Sequence, residues 1–160
     1  MAELVTNPGI ETNMTGWNTS NISGTMARST VQAHSGVASM ALTATGANTY
    51  IWANETLLDV VEASIYSASW WVYVADTANY TPVAGDGNGD WERYGSTVSI
   101  TANTWTQVSV TGFAAGVWTG TDEFIFRLNR STGTYSGQIL HFDDFSLTSQ
   151  ERRSSLLLGV

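Results

Sequence analysis

Two stretches of the sequence place groups suited to ligand binding on one face of a predicted strand. In SIYSASWWVYVAD these are Trp71 and Tyr73, and in EFIFRLNR they are Arg127 and Asn129, while the opposite face of each stretch is largely apolar. An aromatic ring can stack on the C–H face of a sugar ring, and guanidinium and amide groups can bond its hydroxyls. Side by side in one sheet, the four residues would form a surface suited to a glycan.

The aromatic residues Trp71 and Tyr73 also have a second explanation. Large aromatic side chains are common in protein cores and subunit interfaces as well as in ligand sites. A loop or a neighbouring subunit that covers this face would therefore account for them equally well, and the sequence leaves both readings open.

The acids of the C-terminal stretch LHFDDFSL do not form a catalytic pair. A glycosidase needs two carboxyl groups that flank one bond. Asp143 and Asp144 are adjacent in a predicted strand and should point to opposite faces. His141 shares a face with Asp143, but no nucleophile-elbow sequence accompanies it. We therefore expect a protein that is not an enzyme, in which His141 is structural.

The stretch DGNGDWE resembles the start of a calcium-binding EF-hand loop, with acids or an amide at its first, third and fifth positions. It then departs from that pattern, because Trp91 stands where Gly is needed and Thr97 where Glu is needed. A flexible Gly- and Asx-rich loop is the better prediction. Trp91 and Tyr94 beside it are placed to contact a ligand.

The composition is typical of a single all-β domain. The chain has 160 residues, of which 42% are hydrophobic and only 12% charged. It has no cysteine, which excludes disulfides and thiolate metal sites. The net charge is −8, so no basic surface for nucleic acid is expected. No apolar run approaches the roughly 20 residues of a membrane span.

Short alternating or apolar runs, separated by turn residues, predict roughly eight to ten strands, which is the range of a β-sandwich. The stretch ETLLDVVEAS is the one candidate for a helical turn. The runs are ELV, MARSTVQ, VASMALTAT, TYIWANE, SIYSASWWVYVAD, STVSIT, TWTQVSVTGF, EFIFRLNR and QILHFDDFSLTS. We predict a sandwich over residues 1–149 and a separate element over residues 150–160.

The order of several motifs resembles that of carbohydrate-binding modules of the family 4/9 type. LVTNPGIETNMTGWN resembles their opening, AHSGVASMALTA their His-Ser-Gly turn and strand, and YSASWWVYV their Tyr-x-x-Ser-x-Trp-Val strand. TWTQVSVTGF and LHFDDFSL resemble their later strands. The resemblance implies a jelly-roll β-sandwich of the galactose-binding-like kind. The sequence departs from the pattern at Ile10, where the family has an aromatic residue.

The same resemblance implies a structural calcium ion that joins the first and last strands. Its ligands would be the carbonyl of Gly9 and the carboxylates of Glu11 and Asp144. Calcium binds six to eight oxygen ligands of these types, and a clip between the chain ends would stabilise a domain without disulfides. The alternative is that Glu11 and Asp144 are ordinary turn and strand-end acids.

The last segment of the chain differs in composition from the predicted sandwich. Its leucines are too apolar for an exposed tail, so we expect them to dock on a partner, with arginines nearby to anchor the approach. A tail that packs on its own sandwich, or a linker remnant, is the alternative. The docking residues are Leu156, Leu157, Leu158 and Val160, and the arginines are Arg152 and Arg153.

Modules similar to the family 4/9 type also occur in virion proteins of tailed bacteriophages. No basic and apolar leader precedes the first predicted strand. We therefore expect a virion surface protein, made in the host cytoplasm, that decorates the capsid or belongs to the tail. Its partners would be capsid or tail proteins, further copies of itself and a polysaccharide. The alternative is an extracellular sugar-binding module of a secreted polysaccharide-degrading enzyme.

Overall fold

The computed structural model describes residues 3–21, 24–56, 60–118 and 123–150, and these residues form strands and turns without a helix. None of them belongs to a helix that could cross a membrane. The strands are β1 (Ser20–Asn21), β2 (Gly24–Ser29), β3 (Ser39–Ala44), β4 (Tyr50–Thr56), β5 (Ile65–Tyr73), β6 (Ala78–Asp86), β7 (Glu92–Tyr94), β8 (Val98–Ile100), β9 (Thr106–Ala114), β10 (Glu123–Arg130) and β11 (Ile139–Gln150).

The strands form two antiparallel sheets. The six-stranded sheet has the order β1-β2-β3-β11-β5-β9. The five-stranded sheet has the order β4-β10-β6-β7, and β8 pairs with β6. The last strand, β11, lies between β3 and β5, so the C-terminal part of the described chain is central to its sheet. This arrangement confirms the predicted all-β sandwich.

The core lies between the two sheets and is rich in aromatic side chains. Burial alternates residue by residue along β5, and the predicted inner face of that strand, which includes Trp70, is buried. Phe124, Phe126 and Leu128 of β10 are also fully buried, as predicted. Trp70 packs edge-on against Phe126, with ring centroids 5.4 Å apart. Apolar alternation therefore identified the inner face of both sheets.

Eight of the nine predicted runs overlap observed strands, and ELV is the exception. Glu3 forms an isolated bridge with Thr148 rather than a strand. The sequence did not reveal β1, β6 or β7. Strand β6 was missed because it contains Pro82 and runs into the Gly- and Asx-rich loop, both of which are turn signals.

The predicted helical turn is not seen in the described part of ETLLDVVEAS. Glu55 and Thr56 belong to β4, and a turn occupies residues 62–63. At the other end of the domain, β11 continues to Gln150, the first residue of the predicted tail. The predicted docking residues Leu156, Leu157, Leu158 and Val160 lie outside the described residues.

A bulge interrupts β11 at its acidic pair. The register with β5 shifts between Asp143 and Ser146, and Asp144 has a left-handed backbone with φ 45°. Both carboxylates consequently reach the turn at His34 and Ser35. The prediction that they point to opposite faces was wrong because the bulge breaks the strand alternation.

The adjacent tryptophans of β5 offer a direct test of this packing. Trp70 is fully buried, whereas Trp71 is only half-buried on the outer face. Trp70→Ala should lower the free energy of unfolding by about 3–5 kcal/mol, because it leaves a large cavity between the sheets. Trp71→Ala should cost clearly less. Urea unfolding of both variants checks this, and equal losses would contradict the assignment of the inner face.

Candidate functional site

The four residues predicted to form one sugar-binding surface lie on two different sheets. Trp71 and Tyr73 belong to β5 of the six-stranded sheet, and Arg127 and Asn129 belong to β10 of the five-stranded sheet. All four occupy outer faces, as predicted, but these faces are on opposite sides of the sandwich. The expectation of a shared surface was wrong, because alternation assigns a face within a sheet and does not tell which strands pair.

The outer face of the five-stranded sheet carries a shallow cavity of about 240 Å³, here called the sheet cavity. One row across this sheet runs through Trp52, Arg127, Val83 and Tyr94, each opposite the next. The lining residues are Tyr50, Trp52, Asp86, Gly87, Asn88, Gly89, Glu92, Ile125 and Arg127. Asn129 is next to Tyr50 in the pairing but is not among the lining residues.

An ion pair holds the polar side of the sheet cavity. Both terminal nitrogens of Arg127 donate to the carboxylate of Glu92, one of them at 2.8 Å. Tyr94 donates its hydroxyl to Glu92 at 2.7 Å. Hydrogen bonds from Arg127 lower the pKa of Glu92, although burial opposes them. Glu92 is therefore a carboxylate at neutral pH and fixes the guanidinium in a bidentate geometry.

Two aromatic residues form the opposite wall of the sheet cavity. Tyr50 and Trp52 are two residues apart on β4, so both point outward, and their rings stack with centroids 5.4 Å apart. The guanidinium carbon of Arg127 lies 5.5 Å from the centre of the Tyr50 ring. The cavity thus combines an aromatic wall with a charged hydrogen-bonding group at its centre.

The loop after β6 closes one end of the sheet cavity. Asp86 is 1% exposed, and burial raises the pKa of its carboxyl, one oxygen of which accepts a hydrogen bond from the Asp90 amide. Near this end, Glu123 accepts hydrogen bonds from the side-chain amides of Asn18 and Asn54. Glu123 is therefore held by protein donors, whereas the second carboxyl oxygen of Asp86 is buried and has no hydrogen-bond partner.

The outer face of the six-stranded sheet carries a separate aromatic cluster. His34 stacks on Trp71 with ring centroids 3.7 Å apart and meets Trp105 edge-on. Tyr73 lies 5.5 Å from Trp105 and 6.0 Å from His141. One face of the Trp71 indole is therefore already covered by a protein ring, as the alternative reading of this residue expected.

The structure brings the three predicted calcium ligands together. A Cβ placed on Gly9 would lie 3.8 Å both from Glu11 Oε1 and from Asp144 Oδ1. Glu11 Oε2 accepts a hydrogen bond from the Val37 amide, whereas Oε1 is buried and has no hydrogen-bond partner. Glycine is favoured at position 36, because its φ is 61° and a Cβ there would lie 2.0 Å from Glu11 Oε1.

The backbone around this cluster is constrained from both sides. Ile10, fully buried, has φ 53°, which is costly for a β-branched residue. Arg28 holds that turn by donating to the carbonyls of Ile10 and Glu11. Asp144 is bonded by His34 and by the hydroxyl of Ser35. The first loop and the β11 bulge are therefore positioned against each other.

The donors at this cluster fit calcium better than a softer metal. The carboxylate oxygens of Glu11 and Asp144 are hard ligands, and Glu11 Oε1 among them is buried without a hydrogen-bond partner. Within residues 3–21, 24–56, 60–118 and 123–150 no group of three His, Cys, Asp or Glu side chains could hold a metal. Any ion here would therefore depend on carbonyl oxygens as well as on Glu11 and Asp144.

Several residues of the sheet cavity were not selected from the sequence. Tyr50 and Trp52 share a face of TYIWANE, and this alternation was the available signal. Glu92 lies on β7, a strand with no sequence signal of its own. Of the two aromatics predicted to contact a ligand, Tyr94 is 60% exposed, but Trp91 is buried against Phe113 and Phe124.

No family model matches the sequence, and no curated protein matches it. Solved structures do resemble it. A family 61 carbohydrate-binding module in complex with β-1,4-galactotriose superposes with a TM-score of 0.60 and 18% identity, covering 94% of this chain and 100% of its own. The family 22 xylan-binding domain of Paenibacillus barcinonensis Xyn10C gives 0.64 and 18%, covering 89% and 91%.

An α-L-arabinofuranosidase in its arabinose-bound form also resembles the chain, with a TM-score of 0.70 and 17% identity. The match covers 92% of this chain but only 26% of that enzyme. At such low identities these similarities concern the fold alone. The chain therefore has the jelly-roll β-sandwich fold found in carbohydrate-binding modules.

Proposed function

We propose that this protein binds a neutral polysaccharide, without cleaving it, on the outer face of the five-stranded sheet. The observation that carries the proposal is the sheet cavity, in which Tyr50 and Trp52 face the fixed guanidinium of Arg127. Stacking on the aromatic wall would bind the C–H faces of sugar rings, and the Arg127–Glu92 pair would bond their hydroxyls.

The charges of the sheet cavity favour an uncharged ligand. Its lining residues include two acids, Asp86 and Glu92, against one base, Arg127, and the whole chain has a net charge of −8. A uronic-acid chain would be repelled. Of these two acids, Glu92 is kept ionised by Arg127 and Asp86 is only 1% exposed, so neither is placed to protonate a glycosidic oxygen, which favours binding without hydrolysis.

The similar structures suggest which glycans to test first. One of them contains β-1,4-galactotriose and another is named as a xylan-binding domain. We therefore take β-1,4-galactan and xylan as the first polysaccharides to test. Both are neutral in their backbones, in agreement with the charge of the sheet cavity.

Two tryptophans on opposite sides of the sandwich provide a matched test of the binding face. Trp52→Ala should weaken binding of galactan or xylan by at least about tenfold, since it removes the stacking surface of the sheet cavity. Trp71→Ala removes the same side chain from the six-stranded sheet and should leave the affinity within about twofold. Affinity electrophoresis with each polysaccharide and calorimetry with its oligosaccharides provide the measurement.

The result distinguishes the two outer faces. Both variants must first show the circular dichroism and cooperative unfolding of the native sandwich. Loss of binding in Trp71→Ala alone would assign the glycan to the aromatic cluster that includes Tyr73, as the sequence first suggested. If the unaltered protein binds neither polysaccharide nor their oligosaccharides, the proposal for these ligands fails.

A calcium ion at Gly9, Glu11 and Asp144 is the second part of the proposal. The orphaned Oε1 of Glu11, enclosed beside Gly36, supports it. Such an ion would supply a structural link between the first loop and the bulge of β11, and it would take no part in sugar chemistry. Its removal should therefore act on stability.

Chelation tests this directly. EGTA should lower the melting temperature of the native protein by several degrees, because an ion present at about 100 times its Kd stabilises by about 2.7 kcal/mol. Asp144→Asn, chosen because Asn tolerates a positive φ, should remove most of that difference. Glu62→Gln, at an exposed acid away from the cluster, should retain it. If EGTA leaves the melting temperature of the native protein unchanged, the proposed calcium ion is contradicted.

We further propose that this protein is attached to a tailed-phage virion through its C-terminal segment. Its support is the sequence of that segment, with Leu156, Leu157 and Leu158 in succession and Arg152 and Arg153 before them. Because an apolar run of this kind favours association, the full chain should form a larger oligomer than a chain ending at Gln150. Light scattering behind a sizing column measures the number of copies in each particle, and the same number for both chains would contradict self-association through the tail.

A further inference from the structure

A second cavity lies at the edge of the sandwich, beside the sheet cavity. Its volume is about 410 Å³, and it is here called the edge cavity. It lies between the turn that joins β7 to β8 and the outermost strand of the six-stranded sheet, β9. Its lining residues are Tyr94, Gly95, Ser96, Val98, Gln107, Val108, Ser109 and Thr111.

Tyr94 connects the two cavities. Its hydroxyl donates to Glu92 at 2.7 Å and accepts from Arg127 at 3.4 Å, and both of those residues line the sheet cavity. Tyr94 itself lines the edge cavity. The residue is 60% exposed, so its ring presents an open aromatic surface where the two cavities adjoin.

The walls of the edge cavity are held by backbone contacts. Gly95 donates its amide to the Pro82 carbonyl at 2.9 Å, which ties the β7–β8 turn to β6. A Cβ at Gly95 would lie 2.3 Å from the Ser109 carbonyl oxygen, so the turn and β9 approach each other closely here. The two walls of the cavity, the β7–β8 turn and β9, are therefore already in place without a ligand.

The chemistry of the edge cavity suits an uncharged, hydroxyl-rich ligand. None of its lining residues carries a charge, and four of them, Ser96, Gln107, Ser109 and Thr111, offer hydroxyl or amide groups. Together with Tyr94, these groups place an aromatic ring beside neutral hydrogen-bonding groups. A sugar ring can stack on the aromatic ring and bond the polar groups through its hydroxyls.

We propose that the edge cavity is an additional subsite, in which a neutral glycan chain bound in the sheet cavity continues past Tyr94 and around the edge of the sandwich. The inference rests on the proposed function and extends it to the length of the ligand. The sheet cavity, at about 240 Å³, is smaller than the roughly 300–1,000 Å³ of most ligand pockets, whereas the edge cavity falls within that range. The protein therefore prefers long chains to short ones.

The experiment compares short and long oligosaccharides on variants in which the edge cavity is blocked. Thr111→Trp places a large side chain at its β9 wall, and Ser96→Trp does so from the opposite wall, both at exposed positions. Thr25→Trp is the matched control, because Thr25 is an exposed strand residue on β2, several strands away in the same sheet. Calorimetry with xylotriose and xylohexaose, and with the corresponding β-1,4-galacto-oligosaccharides, gives the affinities.

The unaltered protein and Thr25→Trp should bind the hexaose at least about tenfold more tightly than the triose. Thr111→Trp and Ser96→Trp should bind the triose normally and lose most of that gain. An unchanged gain in both blocked variants, or no gain in the unaltered protein, overturns the edge subsite while leaving glycan binding intact. Absence of all oligosaccharide binding overturns both proposals, and it is the one outcome of this experiment that rejects the proposed function.

Discussion

The contact between Trp70 and Phe126 determines what the sandwich presents on its two outer surfaces. These fully buried rings join β5 of one sheet to β10 of the other, with centroids 5.4 Å apart. Side chains alternate along a strand, so the next residue of each must point away from the core. Trp71 is thereby directed to one outer face and Arg127 to the other. The packing of the core therefore also determines which side chains the two outer faces carry.

Arg127 illustrates how an outer face becomes a site. Its side chain is only 12% exposed, and a guanidinium so enclosed needs a carboxylate partner. Glu92 on β7 is that partner and reaches Arg127 across the intervening strand β6. Tyr94 donates a further hydrogen bond to the Glu92 carboxylate. Because the polar groups already hold one another, sugar hydroxyls would meet donors and acceptors in fixed positions. The binding energy would then not be spent on ordering side chains.

The sequence was sufficient for the fold class and for most of the strands, because alternation and turn residues are local signals. It correctly placed Trp70 and Phe126 inside and their neighbours outside. It failed at β6, where Pro82 and a Gly-rich end imitate a turn, and at the Asp143–Asp144 pair, where a bulge cancels alternation. In each case a tertiary pairing overrides a local rule.

The site was harder to predict than the fold because it depends on which strands are neighbours. Trp71 and Arg127 have equivalent sequence signals, yet they lie on opposite sides, while Trp52 and Arg127 face each other across adjacent strands. The pairs that build these faces, such as β4 with β10 and β5 with β11, are separated by long stretches of sequence, so composition and period carry no information about them. The calcium ligands, which stay a prediction, were proposed on a different kind of signal. Gly9, Glu11 and Asp144 were chosen because the order of several motifs resembles that of a known family. The order of motifs along the whole chain contains information on which distant segments pair, and strand alternation does not.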